Sequence, residues 1–169
     1  TELYVGLDPR KENHPIYNKQ AEYYNSHLTM FETPKTTKFH CEAAEDFNYE
    51  DYEDTFDIIF TSPPYFNVER YSHDDTQSWV RYKDINNWNT QFLQKALDNM
   101  LPTLKSGGKL CVNISDVYSP SAGKKAWSKI CDPMNEFLDE YTDMEYKGCI
   151  GMEMAKRPNS GGAGTAKDT

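Results

Sequence analysis

The tetrapeptide Ser62-Pro63-Pro64-Tyr65 is the part of the sequence with the clearest chemical meaning. It follows the short apolar run Phe56 to Phe60, which predicts a buried strand, and the two prolines prevent that strand from continuing. They also fix the backbone, so that its carbonyl oxygens become rigid acceptors without an ordinary ladder partner. The Ser62 side chain and the Pro63 carbonyl could accept both hydrogens of an aromatic amino group. Such acceptors concentrate the lone pair on nitrogen, which is what methyl transfer to an aromatic amine requires.

Tyr65 extends this interpretation, because its ring could stack on a base flipped out of a nucleic-acid helix. The structural alternative is a tight loop that only closes the strand. Nucleophilic catalysis by Ser62 is disfavoured, since the sequence has no Gly-x-Ser-x-Gly elbow that would activate the hydroxyl.

Acidic side chains follow two strands that are predicted earlier in the chain. Asp8 ends the run Leu3 to Leu7, and its two carboxylate oxygens could hold the vicinal hydroxyls of a ribose. Glu45 or Asp46, in the loop after the strand Thr37 to Cys41, could accept a hydrogen bond from an adenine amino group. Taken singly, these acids also suit an Asp-Pro turn and a solvated acidic loop. Because ligands bind beyond the carboxyl ends of parallel strands, we expect the acids to share one crevice with Ser62, which would then contact both cofactor and target.

Helical and strand patterns alternate along the chain and predict an α/β fold with a doubly wound, mostly parallel sheet. Apolar spacings of three and four predict helices, and short β-rich runs predict strands. The glycines Gly107 and Gly108 are expected to cap the C-terminus of the second helix. The remaining predicted elements are a helix over 16–28, a helix over 84–104, a strand over 109–114, a helix over 126–138 and a weaker final strand over 144–154.

The length of 169 residues predicts one domain, with a catalytic core over 1–156 and a flexible loop or tail rich in Gly and Ser over 157–169. The four cysteines form no Cys-x-x-Cys pair, so neither a metal site nor a disulfide framework is indicated, and a cytoplasmic location is expected. No membrane-spanning run or signal peptide is seen. The net charge of −9 argues against tight non-specific binding of a polyanion, although a catalytic face can be locally basic.

The segment from Phe66 to Ser78 is polar and has no clear period, which predicts a mobile lid over the target base. Its side chains suited to base-edge or phosphate contacts are Asn67, Arg70, Tyr71 and Gln77.

At Ser62-Pro63-Pro64-Tyr65 the chain resembles the DNA amino-methyltransferases, the N4-cytosine and N6-adenine enzymes, whose catalytic motif is Asp, Asn or Ser followed by Pro-Pro and an aromatic residue. The stretch from Thr61 to Trp79 is particularly similar to phage-type and predicted modification methylases. The resemblance implies S-adenosylmethionine as methyl donor, DNA as substrate, and the Rossmann-like fold of the class I methyltransferases. The Ser form resembles the cytosine-N4 enzymes more than the adenine-N6 ones. Further segments that carry the resemblance are 4–9, 44–47 and 104–110.

One departure from the family pattern is the absence of an aromatic-x-Gly-x-Gly loop before Asp8. We therefore expect an N-terminally truncated fragment that lacks the first strand and its glycine loop and binds cofactor poorly. Two alternatives stay open. One is methylation of RNA or of a protein glutamine, and the other is a non-catalytic, methyltransferase-like binding module.

Overall fold

The computed structural model describes residues 2–119 and 126–151. Its first unit is a parallel strand pair joined by a helix: β1 (Leu3–Leu7), α1 (His14–Ser26) and β2 (Thr36–His40), with β1 and β2 in register from Leu3 opposite Thr36 to Leu7 opposite His40. The two predicted strands and the helix between them are confirmed, with helix bounds shifted by two residues. Pro15 lies in the first turn of α1, where a missing N–H costs nothing. No residue of these three elements is buried.

A second parallel pair carries the tetrapeptide. It consists of β3 (Phe56–Thr61) and β4 (Leu104–Val112). The prediction that Gly107 and Gly108 cap a helix is wrong, because both lie inside β4. Between Phe56 and Ile58 the register jumps from Leu104 to Lys109, so the glycines belong to a bulge. Gly107 has φ +79°, and a Cβ on Gly108 would lie 2.8 Å from the Lys105 carbonyl oxygen, which explains why glycine occupies both positions.

The core is built on one long helical run between β3 and β4. It comprises α3 (Ile85–Asn87), a π-helical segment (Trp88–Gln94) and α4 (Lys95–Met100), and it ends in a 3₁₀ turn (Leu101–Thr103). The short helix α2 (Ser78–Arg81) precedes it. Trp88 is fully buried and Leu97 is 1% exposed. Ile59 and Leu110 pack against this cluster from one face of the β3–β4 pair, so the helical run covers the sheet behind the tetrapeptide.

The chain continues through an antiparallel pair, β5 (Val117–Ser119) and β6 (Ala126–Ser128), into α5 (Cys131–Leu138). The prediction of one helix over 126–138 is therefore wrong in its first half. Pro133 has no N–H and is tolerated only in the first turn, so the helix begins at Cys131. The prediction of a final strand over 144–154 is also wrong for its described residues. Residues 144–151 form no strand, and Ile150 is 93% exposed. Residues 152–154 and the tail over 157–169 lie outside the described residues.

The described residues form three two-stranded sheets, and no ladder of backbone hydrogen bonds joins one of these sheets to another. Alternation of strands and helices and parallel pairing are confirmed, but a single doubly wound sheet is not confirmed. Within the described part of the chain, no helix has the length and apolarity needed to cross a membrane.

Candidate functional site

The tetrapeptide forms a tightly folded corner immediately after β3. Pro63 is buried and Ser62 is exposed. The Phe66 N–H donates to the Pro64 carbonyl at 2.9 Å, and the Val68 N–H donates to the Tyr65 carbonyl at 3.0 Å. The Pro63 carbonyl oxygen accepts no hydrogen bond from the described residues. The Pro63 carbonyl is thus free of a described donor, and its role as an acceptor for a substrate amine stays a prediction.

Phe66 holds this corner in an unusual backbone conformation. Its φ of +47° is left-handed, which costs a bulky residue on the order of 1–3 kcal/mol. The ring is 7% exposed and lies edge-on to Trp88, with 6.1 Å between ring centroids. Burial of the ring in the core offsets the strain and fixes the turn that follows Tyr65. Tyr65 itself is half-buried against the same cluster.

Two side chains outside the tetrapeptide hold its polar groups. Asn113 follows β4, and its Nδ2 donates to Ser62 Oγ at 3.3 Å while its backbone N–H donates to the Thr61 carbonyl at 2.8 Å. The Glu69 carboxylate accepts the Tyr65 N–H at 3.1 Å. The Ser62 hydroxyl oxygen keeps a second lone pair, so it can still accept a hydrogen bond from a ligand.

Asp8 lies directly after β1, as expected, and its carboxylate is already engaged. Oδ1 accepts the Arg10 N–H at 2.9 Å, and Oδ2 accepts Asn13 Nδ2 at 2.8 Å and the Tyr17 hydroxyl. Burial opposes ionisation, but these hydrogen bonds outweigh it and lower the pKa of Asp8, so the group is ionised at neutral pH. Three donors use three of its roughly four acceptor positions.

Glu45 and Asp46 form an ion cluster with the helices rather than a solvated loop. Arg81 Nη1 lies 2.7 Å from both Glu45 Oε1 and Asp46 Oδ2, and Lys95 Nζ lies 2.9 Å from Asp46 Oδ1. Glu45 is 1% exposed, and the Tyr82 hydroxyl also donates to its Oε1 at 3.3 Å. Burial raises the pKa of Glu45 despite Arg81, whereas the hydrogen bond from Arg81 lowers that of Asp46.

The second carboxylate oxygen of Glu45, Oε2, is buried and has no hydrogen-bond partner among the described residues. Unpaired buried acceptors are rare because each one costs desolvation free energy. Because Oε2 is buried, a ligand amine could reach it only if the side chains around it moved. No group of three or more His, Cys, Asp and Glu side chains with metal-binding geometry occurs in residues 2–119 and 126–151.

The four predicted substrate contacts fall into two kinds. Asn67, Arg70 and Tyr71 follow the tetrapeptide on the surface, and Tyr71 is 55% exposed. Arg70 Nε donates to the Asn67 carbonyl at 3.1 Å. Gln77 is 7% exposed and precedes α2, and its carbonyl accepts the Val80 and Arg81 N–H groups while its side chain makes no capping hydrogen bond. A substrate contact by Gln77 and the mobility of the segment between it and Phe66 both stay predictions.

An aromatic series connects the β1–β2 pair to the β3–β4 pair. His40, at the end of β2, lies 2.9 Å from the Tyr52 hydroxyl and 4.6 Å, centroid to centroid, from Phe47. Tyr52 stacks on Phe47 at 6.2 Å and on Phe56 at 5.6 Å. No described hydrogen bond or ion pair joins Asp8 or Asp46 to Ser62, so the shared crevice stays a prediction.

Sequence reasoning missed the residues that hold the predicted ones in place: Asn113, Glu69 and Arg81. Asn113 was within reach of the rule applied to Asp8 and Ser62, since it is a polar residue at the carboxyl end of a parallel strand. The sequence pattern predicts a strand that runs to Ile114, which would place Asn113 inside the strand, whereas β4 ends at Val112. No sequence signal pairs Arg81 with Glu45, which lies 36 positions earlier.

Comparison with known proteins gives one match. A family model for N6/N4 methyltransferases, described as DNA methylase, matches residues 56–160, which is more than half of the chain. The matched region begins at the first residue of β3 and includes the tetrapeptide and Asn113, whereas Asp8, Glu45 and Asp46 precede it. No curated protein and no solved structure matches the chain.

Proposed function

Since the chain belongs to the DNA N4/N6 amino-methyltransferase family, whose general activity is methylation of DNA bases, we propose that it transfers a methyl group from S-adenosylmethionine to the exocyclic amino group of a DNA base. Cytosine N4 is the proposed target in preference to adenine N6, because the tetrapeptide begins with Ser rather than Asp or Asn.

The observation that carries this proposal is the pair of acceptors at the end of β3. Ser62 is exposed, and Asn113 holds its hydroxyl oxygen while leaving one lone pair available. One residue further on, the Pro63 carbonyl oxygen has no donor among the described residues. Two acceptors fixed by a proline corner match the two hydrogens of one amino group.

In the proposed reaction these acceptors bind both amino hydrogens and draw the nitrogen lone pair out of conjugation with the ring. When bound, S-adenosylmethionine supplies an electrophilic methyl group on a positively charged sulfur. Transfer would form an N–CH₃ bond as the C–S bond breaks, the sulfur would keep the electron pair of that bond as S-adenosylhomocysteine, and one amino proton would pass to solvent water. Ser62 and the Pro63 carbonyl stabilise the positive charge that develops on nitrogen, and the half-buried Tyr65 ring stacks on the base.

The acids ahead of the matched region suit the donor groups of the cofactor. Asp8 is ionised and has about one acceptor position free, so binding two ribose hydroxyls would displace one of the donors that it now holds, Asn13 or Tyr17 among them. Glu45 or Asp46 is the proposed partner of the adenine amino group. Glu45 Oε2 is unpaired but buried, so its use requires the loop to open, whereas each Asp46 oxygen has one ion-pair partner and the side chain is 42% exposed.

Product analysis tests the proposal. The full chain is incubated with S-adenosylmethionine carrying a deuterated methyl group and with unmethylated DNA, RNA and a glutamine-rich protein in separate reactions. The nucleic acids are digested to nucleosides and analysed by mass spectrometry. We expect deuterated N4-methylcytosine from the DNA reaction.

Deuterated N6-methyladenine would retain DNA amino-methylation and overturn the cytosine preference. Label in RNA or in protein glutamine, with none in DNA, would overturn the proposed substrate. Cofactor binding without label in any reaction would favour a binding module instead of an enzyme.

A further inference from the structure

A cavity of about 320 Å³ that is largely open to solvent lies between the loop that follows the tetrapeptide and α2. This volume is at the lower end of the range of ligand sites, about 300–1,000 Å³, and suits a group the size of a phosphate and its sugar. Three of the lining residues can be cationic, and none is acidic. The lining residues are Asn67, Arg70, His73, Trp79, Val80 and Lys83.

Trp79 organises this cavity. Its Nε1 donates to the Ser72 carbonyl at 3.1 Å, which fixes the plane of the indole. The Arg70 guanidinium carbon lies 5.0 Å from the indole centroid, and the His73 ring meets the indole edge-on at 5.2 Å. Arg70 Nε is held by the Asn67 carbonyl. The guanidinium is therefore positioned, and its two terminal nitrogens point to no carboxylate within the described residues.

The cations here differ from their neighbours in having no acidic partner. Arg81 binds two carboxylates and Lys95 binds one, whereas Arg70 and Lys83 form no ion pair with any described residue. None of the acids nearest to the cavity in sequence lines it. Glu69 accepts the Tyr65 N–H, Asp74 accepts the Ser72 hydroxyl, Asp84 caps α3, and Asp75 is exposed. Three side chains that can be cationic around one cavity, with no acid in its lining, favour an anion as its ligand.

We propose that this cavity binds a backbone phosphate of the DNA strand that carries the target base, with Arg70 and Lys83 as the charged contacts. The proposal rests on the DNA-methylating function above and extends it by locating the surface that positions the substrate strand. Because Asn67 lies two residues after Tyr65, we place the bound phosphate close to the nucleotide at the tetrapeptide. The contact sets register and carries no sequence information.

Salt dependence of DNA binding tests this directly. The affinity of the full chain for a fluorescently labelled duplex is measured by anisotropy between 50 and 200 mM KCl. The proteins compared are the unsubstituted chain, Arg70→Gln, Lys83→Gln and Arg70→Lys. Lys19→Gln is the matched control, because Lys19 is also exposed and without an ion pair in the described residues but lies on α1. Methyl transfer to the same DNA is measured in parallel.

A plot of the logarithm of the DNA association constant against the logarithm of the salt concentration has a negative slope. Each Gln substitution should make that slope about 0.9 less steep. The ratio of the variant's affinity to that of the unsubstituted chain then changes about three- to fourfold over this salt range. Arg70→Lys should keep the slope, and Lys19→Gln should not change it. If Arg70→Gln and Lys83→Gln keep the slope while DNA is methylated, the cavity proposal fails and the proposed function stands. If both lower the slope but no labelled methyl group enters the DNA, the phosphate site stands and the proposed function fails. An absence of DNA binding by the unsubstituted chain overturns the cavity proposal.

Discussion

Arg81→Gln tests whether the ion cluster around Glu45 holds the acidic loop on the helical core. Arg81 Nη1 contacts Glu45 Oε1 and Asp46 Oδ2, each at 2.7 Å, and Glu45 is 1% exposed. Removing one partner of a buried pair leaves an unpaired charge and costs about 3–5 kcal/mol. The Arg81 side chain is 30% exposed, so water already screens part of the interaction. We therefore expect a loss of free energy of unfolding at the lower end of this range, about 3 kcal/mol at pH 7. That corresponds to a fall in melting temperature of about 6–12 °C.

The pH dependence of this loss follows from the pKa of Glu45. Burial raises that pKa, so the folded state binds more protons than the unfolded state, and stability falls as the pH rises above the unfolded value of about 4.3. Without Arg81 the pKa rises further, so the destabilisation is large at pH 7 and smaller at pH 5. Asp46 behaves oppositely, because its pKa is lowered. Its contribution to the free energy of unfolding is lost only in more acidic solution, so that contribution is the same at pH 5 and pH 7.

Urea denaturation at pH 7 and pH 5 measures both effects. Lys95→Gln is the control, because its pair with Asp46 is 42–46% exposed and should contribute only about 0–1 kcal/mol. Adding Glu45→Gln to Arg81→Gln removes the buried charge and should recover most of the loss at pH 7. The reasoning is refuted if Arg81→Gln costs no more than Lys95→Gln, or if its cost is the same at both pH values.

Asn113→Ala should slow methyl transfer on the order of tenfold without lowering cofactor affinity, because Asn113 positions Ser62 through one hydrogen bond. An unchanged single-turnover rate would show that Ser62 does not need this hydrogen bond. Phe66→Ala should lower the free energy of unfolding by about 3–5 kcal/mol in urea denaturation. Phe66→Gly should lower it by about 1 kcal/mol less, because glycine is unstrained at φ +47°. The opposite order would mean that this turn relaxes in the variants. Asp116 accepts two backbone N–H groups at the start of α5, which lower its pKa to about 2 although burial opposes ionisation. Asp116→Ala should cost about 1 kcal/mol at pH 7, and its cost should vanish as the pH falls from about 4 towards 2; a pH-independent loss in acid denaturation would contradict that assignment.

Two strands that the sequence predicted correctly have ends that are marked by backbone chemistry. Asp8-Pro9 ends β1 and Ser62-Pro63 ends β3, since proline disfavours continuation of a strand. Asp8 and Ser62 were predicted at strand ends for that reason, and both lie there.

The errors came from signals with more than one physical meaning. Gly107 and Gly108 after an apolar helix are typical of a C-cap, yet the same left-handed freedom suits a bulge in β4. The partners of the candidate site were harder still to predict. Arg81 meets Glu45 only because α2 packs beside the loop, and such a pairing is set by tertiary structure rather than by any local pattern.

The most direct test of the proposed function is the single-turnover rate of methyl transfer by Ser62→Ala, with cofactor affinity measured on the same preparation. Ser26→Ala is the matched control, since Ser26 is exposed on α1 and its hydroxyl bonds only local groups, the Tyr23 carbonyl and the His27 ring. We predict a rate about 10²-fold lower for Ser62→Ala with nearly unchanged cofactor affinity, by analogy with removing one preorganised transition-state partner, and no change for Ser26→Ala. If Ser62→Ala, and likewise Tyr65→Ala, methylated DNA at the rate of the unsubstituted chain, the tetrapeptide would be a loop closure and not the catalytic site.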